Sequence, residues 1–203
     1  MSITLLIIIL IVITSVTAWQ NRTMFDKLKL NPYMVYHKKE YIRIVSHSLL
    51  HADWMHLIFN MLTLYFFGEF VESGLSLYFK SGVLLYILLF ILGAVISSIP
   101  SVLKHKNNHW YNSVGASGAV AAILFAGILF EPKLGIYIFF IPIPIPGYLF
   151  GIAYLAYSHY MSRKNADNIN HDAHFAGAVF GFLFPILLKP DLVQIFIYKL
   201  TGA

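Results

Sequence analysis

Apolar residues in this chain come in long blocks rather than in alternation or as one stripe of a helix. The first block, Ser2–Trp19, holds no charged residue. Further blocks run over about Trp54–Val71, Ser81–Ile99, Ala116–Phe130, Gly147–Met161 and Ala173–Leu188. A helix needs roughly 20 apolar residues to cross a hydrocarbon core. The pattern therefore predicts six spanning helices in one polytopic domain over residues 1–203, with both ends on one side. The first block reads as a retained span rather than a signal peptide, because it lacks a basic start and a small-x-small cleavage site. Lys189-Pro190 stops the last one.

Two segments interrupt the blocks. Asn21–Asp53 is polar and aromatic and carries Arg22, Lys27, Lys29, Lys38, Lys39 and Arg43. That is too long for a turn, and long connections are often functional. Gly135–Pro146 has prolines at 142, 144 and 146. Each lacks an N–H and forbids a helix, so this stretch is expected to be an extended interfacial connector.

Composition sharpens the picture. Hydrophobic residues make up 59% and charged ones 11%, against about 45–50% and about 25% in soluble domains. Too few charges remain to cover a water-facing surface, which excludes an ordinary cytosolic enzyme, a disordered chain and a free nucleic-acid binder. The net charge of +5 fits membrane flanks, with no nucleic-acid partner expected. The absence of cysteine leaves no disulfide framework and no Cys-ligated metal. With a cytoplasmic N-terminus, outer loops hold ten Lys and Arg (22, 27, 29, 38, 39, 43, 104, 106, 163, 164) and inner ones four (80, 133, 189, 199). Counted alone, those charges prefer the opposite orientation.

Polar groups at membrane depth are costly and point to function. Gly115-Ala116-Ser117-Gly118 opens the fourth span. A serine there sits among unpaired N–H groups at the positive end of the helix dipole, and those donors can hold an oxyanion. The other reading is an N-cap serine among small packing residues. His56 and Asn60, four apart at the start of the second span, lie on one helical face and can donate to one developing charge. They can equally form an interhelical clamp. His174 opens the sixth span, above Gly177 and Gly181. It is the candidate base for Ser117; the alternative is a loop-edge histidine over a packing motif.

Other histidines are paired in spacing, His47 with His51 and His171 with His174. No H-E-x-x-H accompanies them, so no metal site is expected. Asp172 adjoins His174 too closely to orient it, and Asp53 reads as a helix cap. What remains is a Ser–His dyad without an assigned third member.

These clusters, in this order on spans two, four and six, resemble the rhomboid family of intramembrane serine proteases. The matching residues are His56 and Asn60 in WMHLIFNM, Ser117 in GASG, and His174, Gly177 and Gly181 in AHFAGAVFG. The resemblance implies an all-α, six-transmembrane-helix, rhomboid-like bundle of the smaller bacterial type. Its first loop would be a partly embedded flap, both termini would be cytoplasmic, and the site would open to the outer side. It implies Ser117 as nucleophile and His174 as general base, with His56, Asn60 and the Ser117 backbone N–H as oxyanion hole. Gly115, Gly118, Gly177 and Gly181 would be supporting residues. No cofactor is needed. Six of the ten outer charges lie in the single first loop, so the family orientation is kept despite the count.

Two positions depart from the family pattern. Ile42-Arg43 stands where many members carry Trp-Arg, and Ala121 stands where some place a tyrosine against the catalytic histidine. The fourth span, Ser117–Phe130, is also short. Its 14 residues reach about 21 Å at about 1.5 Å per residue, against a core of roughly 30 Å. Irregular backbone must reach into the membrane there, which is tolerated where protein or water surrounds it.

The expected function is cleavage of single-span membrane proteins, in the lipid bilayer of a bacterial plasma or inner membrane, near the outer face. The alternatives are a catalytically inactive relative that binds membrane clients, and a small channel or transporter. The latter lacks the paired broken helices or inverted repeats such folds use.

Overall fold

The computed structural model describes residues 2–138, 143–164, 167 and 169–202. The apolar blocks become α1 (Ile3–Gln20), α5 (Trp54–Tyr78), α6 (Gly82–His105), α7 (Ser117–Phe130), α8 (Gly147–Lys164) and α9 (His171–Leu188). Four of them, α1, α5, α6 and α9, are long and apolar enough to cross a membrane unaided. The chain is an all-α integral membrane protein.

Helix α7 sits at the centre. It is apolar all round, and every residue from Gly118 to Phe130 is buried, as a helix of that kind must be. Around it pack α5, α6 and α9, whose outer faces expose large apolar side chains such as Phe66, Leu84 and Leu187. In water such faces would mark an interaction surface; on a membrane bundle they meet lipid.

Several boundaries run past the sequence expectation. Helix α5 continues through Glu72 to Tyr78. Glutamate is a good helix former, and the Glu72 carboxylate is satisfied by accepting from the backbone N–H of Ile3 and Thr4, each at 3.0 Å. It thereby satisfies orphan donors at the start of α1. The Thr4 hydroxyl also donates to Glu72 and lies 2.8 Å from the Tyr86 hydroxyl. Helix α6 runs through Pro100 to His105. Beyond Pro190 a further helix, α10 (Leu192–Thr201), folds back. Its Lys199 donates to the Phe130 carbonyl at 2.8 Å and pairs with Glu131 at 3.1 Å, a cation where the α7 dipole is negative.

The long first connection is folded. It contains α2 (Arg22–Leu28), α3 (Pro32–Lys38), α4 (Arg43–Ser46) and a 3-10 turn at His47–Leu49. Asn21 and Asn31 cap α2 and α3 through their side chains. Arg43 is buried and ties the loop together. Its Nη1 donates to the carbonyls of Asp26 (2.7 Å) and Lys29 (3.0 Å), and its Nε to Glu40. Ile42, beside it, is exposed and takes no part in this anchor.

In the proline-rich connector, Gly135–Ile136 (β1) pairs antiparallel with Ile145–Pro146 (β2). Extended backbone is what alternate prolines require. Pro142 lies outside the described residues.

Candidate active site

Helix α7 begins where the backbone turns sharply at Gly115, with φ +127°. Only glycine adopts this readily. A Cβ at that position would also stand 2.6 Å from the His56 ring. The glycine therefore serves two needs at once, the turn and the close seat of His56. Ser117 is the first residue of α7, so its N–H and that of Gly118 belong to the unpaired first turn of the helix.

His174 lies in the first turn of α9, and its Nε2 is 2.8 Å from the Ser117 Oγ. The two helices are brought together by glycine. A Cβ on Gly177 would overlap the Gly118 carbonyl, and one on Gly181 the Ala122 carbonyl. Gly118 itself is pressed against Ser97 of α6. All four supporting glycines thus stand at close approaches around the Ser117–His174 pair.

His56 and Asn60 stand one turn apart on α5 and line the same cavity as Ser117 and His174. The Asp53 side chain caps this helix, accepting from the His56 N–H at 2.8 Å. The Asn60 amide donates one hydrogen to the His56 carbonyl at 2.9 Å. An amide nitrogen carries two hydrogens, so the other is free to serve a group in the cavity. The cavity measures about 1250 Å³, and its lining reaches Trp110 and the end of α6. Ser97, Ser98 and Ser101 give it a polar wall.

His51 is fully buried beneath this site. The Ser15 hydroxyl donates to the Leu49 carbonyl at 2.9 Å and lies 3.1 Å from His51 Nδ1. Its single hydrogen is used, so Nδ1 must be the donor of that second contact. Nε2 is then an acceptor, and it takes the Ala116 N–H at 3.4 Å. A neutral histidine thus links α1, the first loop and the residue before Ser117. Burial pushes its pKa down to about 3, with His56 lowering and Asp53 raising it. Burial likewise pushes His47 down to about 4.

His171 is buried and bonded through Nε2 to the Asp167 carboxylate at 3.1 Å. Its ring meets His174 edge-on, with centroids 6.0 Å apart. The hydrogen bond from His171 holds the Asp167 carboxyl below its ordinary range. Asp172 points elsewhere and pairs with Lys104 at 3.3 Å. Among the described residues, no group of three or more His, Cys, Asp or Glu side chains is arranged to hold a metal ion.

Two residues that support the site, His51 behind Ala116 and Tyr154 beside His174, carry little signal in the sequence. His51 was visible only as a spacing. Tyr154 of α8 lies against His174, and its only sequence signal is the four-residue spacing from Phe150 on one helical face.

The chain matches the family model described as Rhomboid domain over residues 38–191. It is similar to "RHOMBOID-like protein 12, mitochondrial" of Arabidopsis thaliana, 27% identical over 150 residues, covering 66% of this chain and 43% of that protein. It is also similar to "Putative rhomboid protease YdcA" of Bacillus subtilis (strain 168), 29% identical over 155 residues, covering 73% of this chain and 67% of that protein. The chain thus spans less than half the length of the first relative and about two thirds of the second.

Proposed function

The chain belongs to the rhomboid family, and we propose that it is an active intramembrane serine endopeptidase. The observation that supports this reading is the 2.8 Å contact between His174 Nε2 and Ser117 Oγ, beside a cavity that admits water. That distance is the hydrogen-bonded nucleophile–base geometry of acyl-transfer sites.

In this reading His174 takes the Ser117 proton as Oγ attacks the carbonyl of a peptide bond. The carbonyl oxygen becomes an oxyanion. The Ser117 N–H, the free Asn60 hydrogen and His56 stabilise it, as preorganised donors aimed at the developing charge. Collapse of the intermediate breaks the C–N bond, and His174 returns the proton to the leaving amine. An acyl-enzyme on Ser117 remains. Water from the cavity then attacks it, His174 again serving as base, and the ester bond breaks to free the new carboxyl end. No metal takes part in these steps.

The substrates are proposed to be single-span membrane proteins cut near the outer face, with both termini of this chain cytoplasmic. A substrate helix must unwind before its carbonyl meets Ser117, so helix-weakening residues near the cut are expected. The deciding experiment uses a fluorophosphonate probe and a candidate transmembrane substrate on the purified protein. Wild type should be labelled and should cleave; Ser117→Ala and His174→Ala should do neither while keeping their melting temperature. A wild type that is folded yet unlabelled would favour a relative that binds membrane clients without cutting them.

A further inference from the structure

Ser117 and His174 are carried by α7 and α9, but a third element touches the base. Tyr154 of α8 lies over the His174 ring, with centroids 6.3 Å apart and planes within 22° of parallel. This offset, near-parallel arrangement lies within the range of favourable aromatic pairs. The hydrogen bond to Ser117 fixes only where Nε2 is; it leaves the ring free to swing about that contact. His171 meets the ring edge-on, so Tyr154 supplies the face that limits the swing.

Tyr154 is itself wedged. Its ring lies 5.5 Å from that of Phe125 on α7 and 5.8 Å from that of Phe150 on α8. Gly151, one turn earlier on α8, is buried and faces α7, where a Cβ would make ordinary contact with Ile128 and Phe125 at 3.4 Å. Two further ring pairs join α8 to α9: Tyr157 with His171 and His159 with Phe175. Yet α8 buries only Gly147, Gly151 and Ser158. It is therefore held to the bundle along one narrow face, and that face carries the ring against the base.

We infer that Tyr154 is a positioning residue, through which the seating of α8 on α7 and α9 sets the plane of His174 and so the readiness of Ser117. The inference rests on the proposed dyad. Its consequence is that the base is aligned only while α8 is packed.

The test measures the fluorophosphonate labelling rate of Ser117 in wild type, Tyr154→Leu, Tyr154→Met and Tyr154→Phe, together with their melting temperatures and, for a cleaved substrate, kcat and KM. One aromatic pair is worth about a twofold to tenfold change in rate. The two non-aromatic variants should lose that much labelling and kcat per folded molecule at unchanged KM, and Tyr154→Phe should rescue both. Labelling of Tyr154→Leu at the wild-type rate overturns the inference. So does a loss that tracks the fraction unfolded, or one that Tyr154→Phe shares. A wild type that is itself unlabelled removes instead the dyad on which the inference rests, and the Ser117→Ala control tells the two failures apart.

Discussion

Gly177 lies so close to Gly118 that a Cβ on it would overlap the Gly118 carbonyl. This contact, one turn below the Ser117–His174 hydrogen bond, is where α9 is held against α7. The neighbouring Gly181 meets the Ala122 carbonyl in the same way. Both obstacles are backbone, which cannot rotate aside as a side chain can.

Substitution at Gly181 should therefore push the helices apart. Gly181→Val is expected to cost roughly 1–3 kcal/mol, the range for overpacking, and to lower the melting temperature in detergent by several degrees. Because the separation widens the Ser117–His174 contact, labelling per folded molecule should fall as well. A variant as stable and as readily labelled as wild type would show that the two helices are not in close contact.

His56 and Asn60 should affect turnover rather than binding. Removing a single oxyanion donor typically costs on the order of 10²–10³ in turnover, so Asn60→Ala and His56→Ala should each lower kcat and kcat/KM together with KM little changed. The double variant should cost less than the sum if both serve one oxygen. If they are only an interhelical clamp, stability falls and single-turnover rate per folded molecule stays near normal; melting curves beside single-turnover rates distinguish the two.

The reach of the sequence depended on whether a feature is local. The long helices were legible because each falls on an apolar block with at most one charge, Glu69 in the second. Ser117 and His174 stood out because each is a polar group just inside a helix start. Where partners come from distant elements, the sequence was silent. Glu72 looked like the end of a span because its role at the start of α1 lies in another helix. Helix α10 is short and follows Lys189-Pro190, which reads as a stop. It is seated by Leu192 in the core and by Lys199 on α7. The short helices of the first loop came into view only with the Arg43 anchor, which joins two carbonyls at the end of α2 to the Glu40 carboxylate.

That anchor should not tolerate lysine. Arg43 serves Asp26, Lys29 and Glu40 at once from a planar fork, a geometry that a single ammonium cannot reproduce. Arg43→Lys leaves buried carbonyls short of a donor, at about 1–3 kcal/mol. Faster limited proteolysis between α2 and α4 should accompany a lower melting temperature. Unchanged protection would mean the loop is held by its apolar contacts alone.

The buried histidines of the first loop should make stability pH-dependent. His51 is neutral in the fold, accepting from Ala116 and donating to Ser15; protonation would set an N–H against the Ala116 N–H. Its pKa is pushed down to about 3 and that of His47 to about 4, in both cases chiefly by burial, while an unfolded histidine titrates near about 6.5. The folded pKa is the lower one, so the unfolded chain binds more protons between these values, and stability rises with pH there. Full stability should hold above about pH 6.5 and fall steadily towards pH 4. Asp26 and Asp167, both held below their ordinary range, add their loss only below about pH 4. His51→Gln keeps a donor and an acceptor but cannot titrate. It should be somewhat less stable than wild type at pH 7.5 and should lose less on acidification, so the two melting-temperature curves converge between pH 6.5 and pH 4. Parallel curves across that window would mean that His51 takes no proton on unfolding, and the neutral link from Ser15 to Ala116 would then not be what holds the chain in front of Ser117.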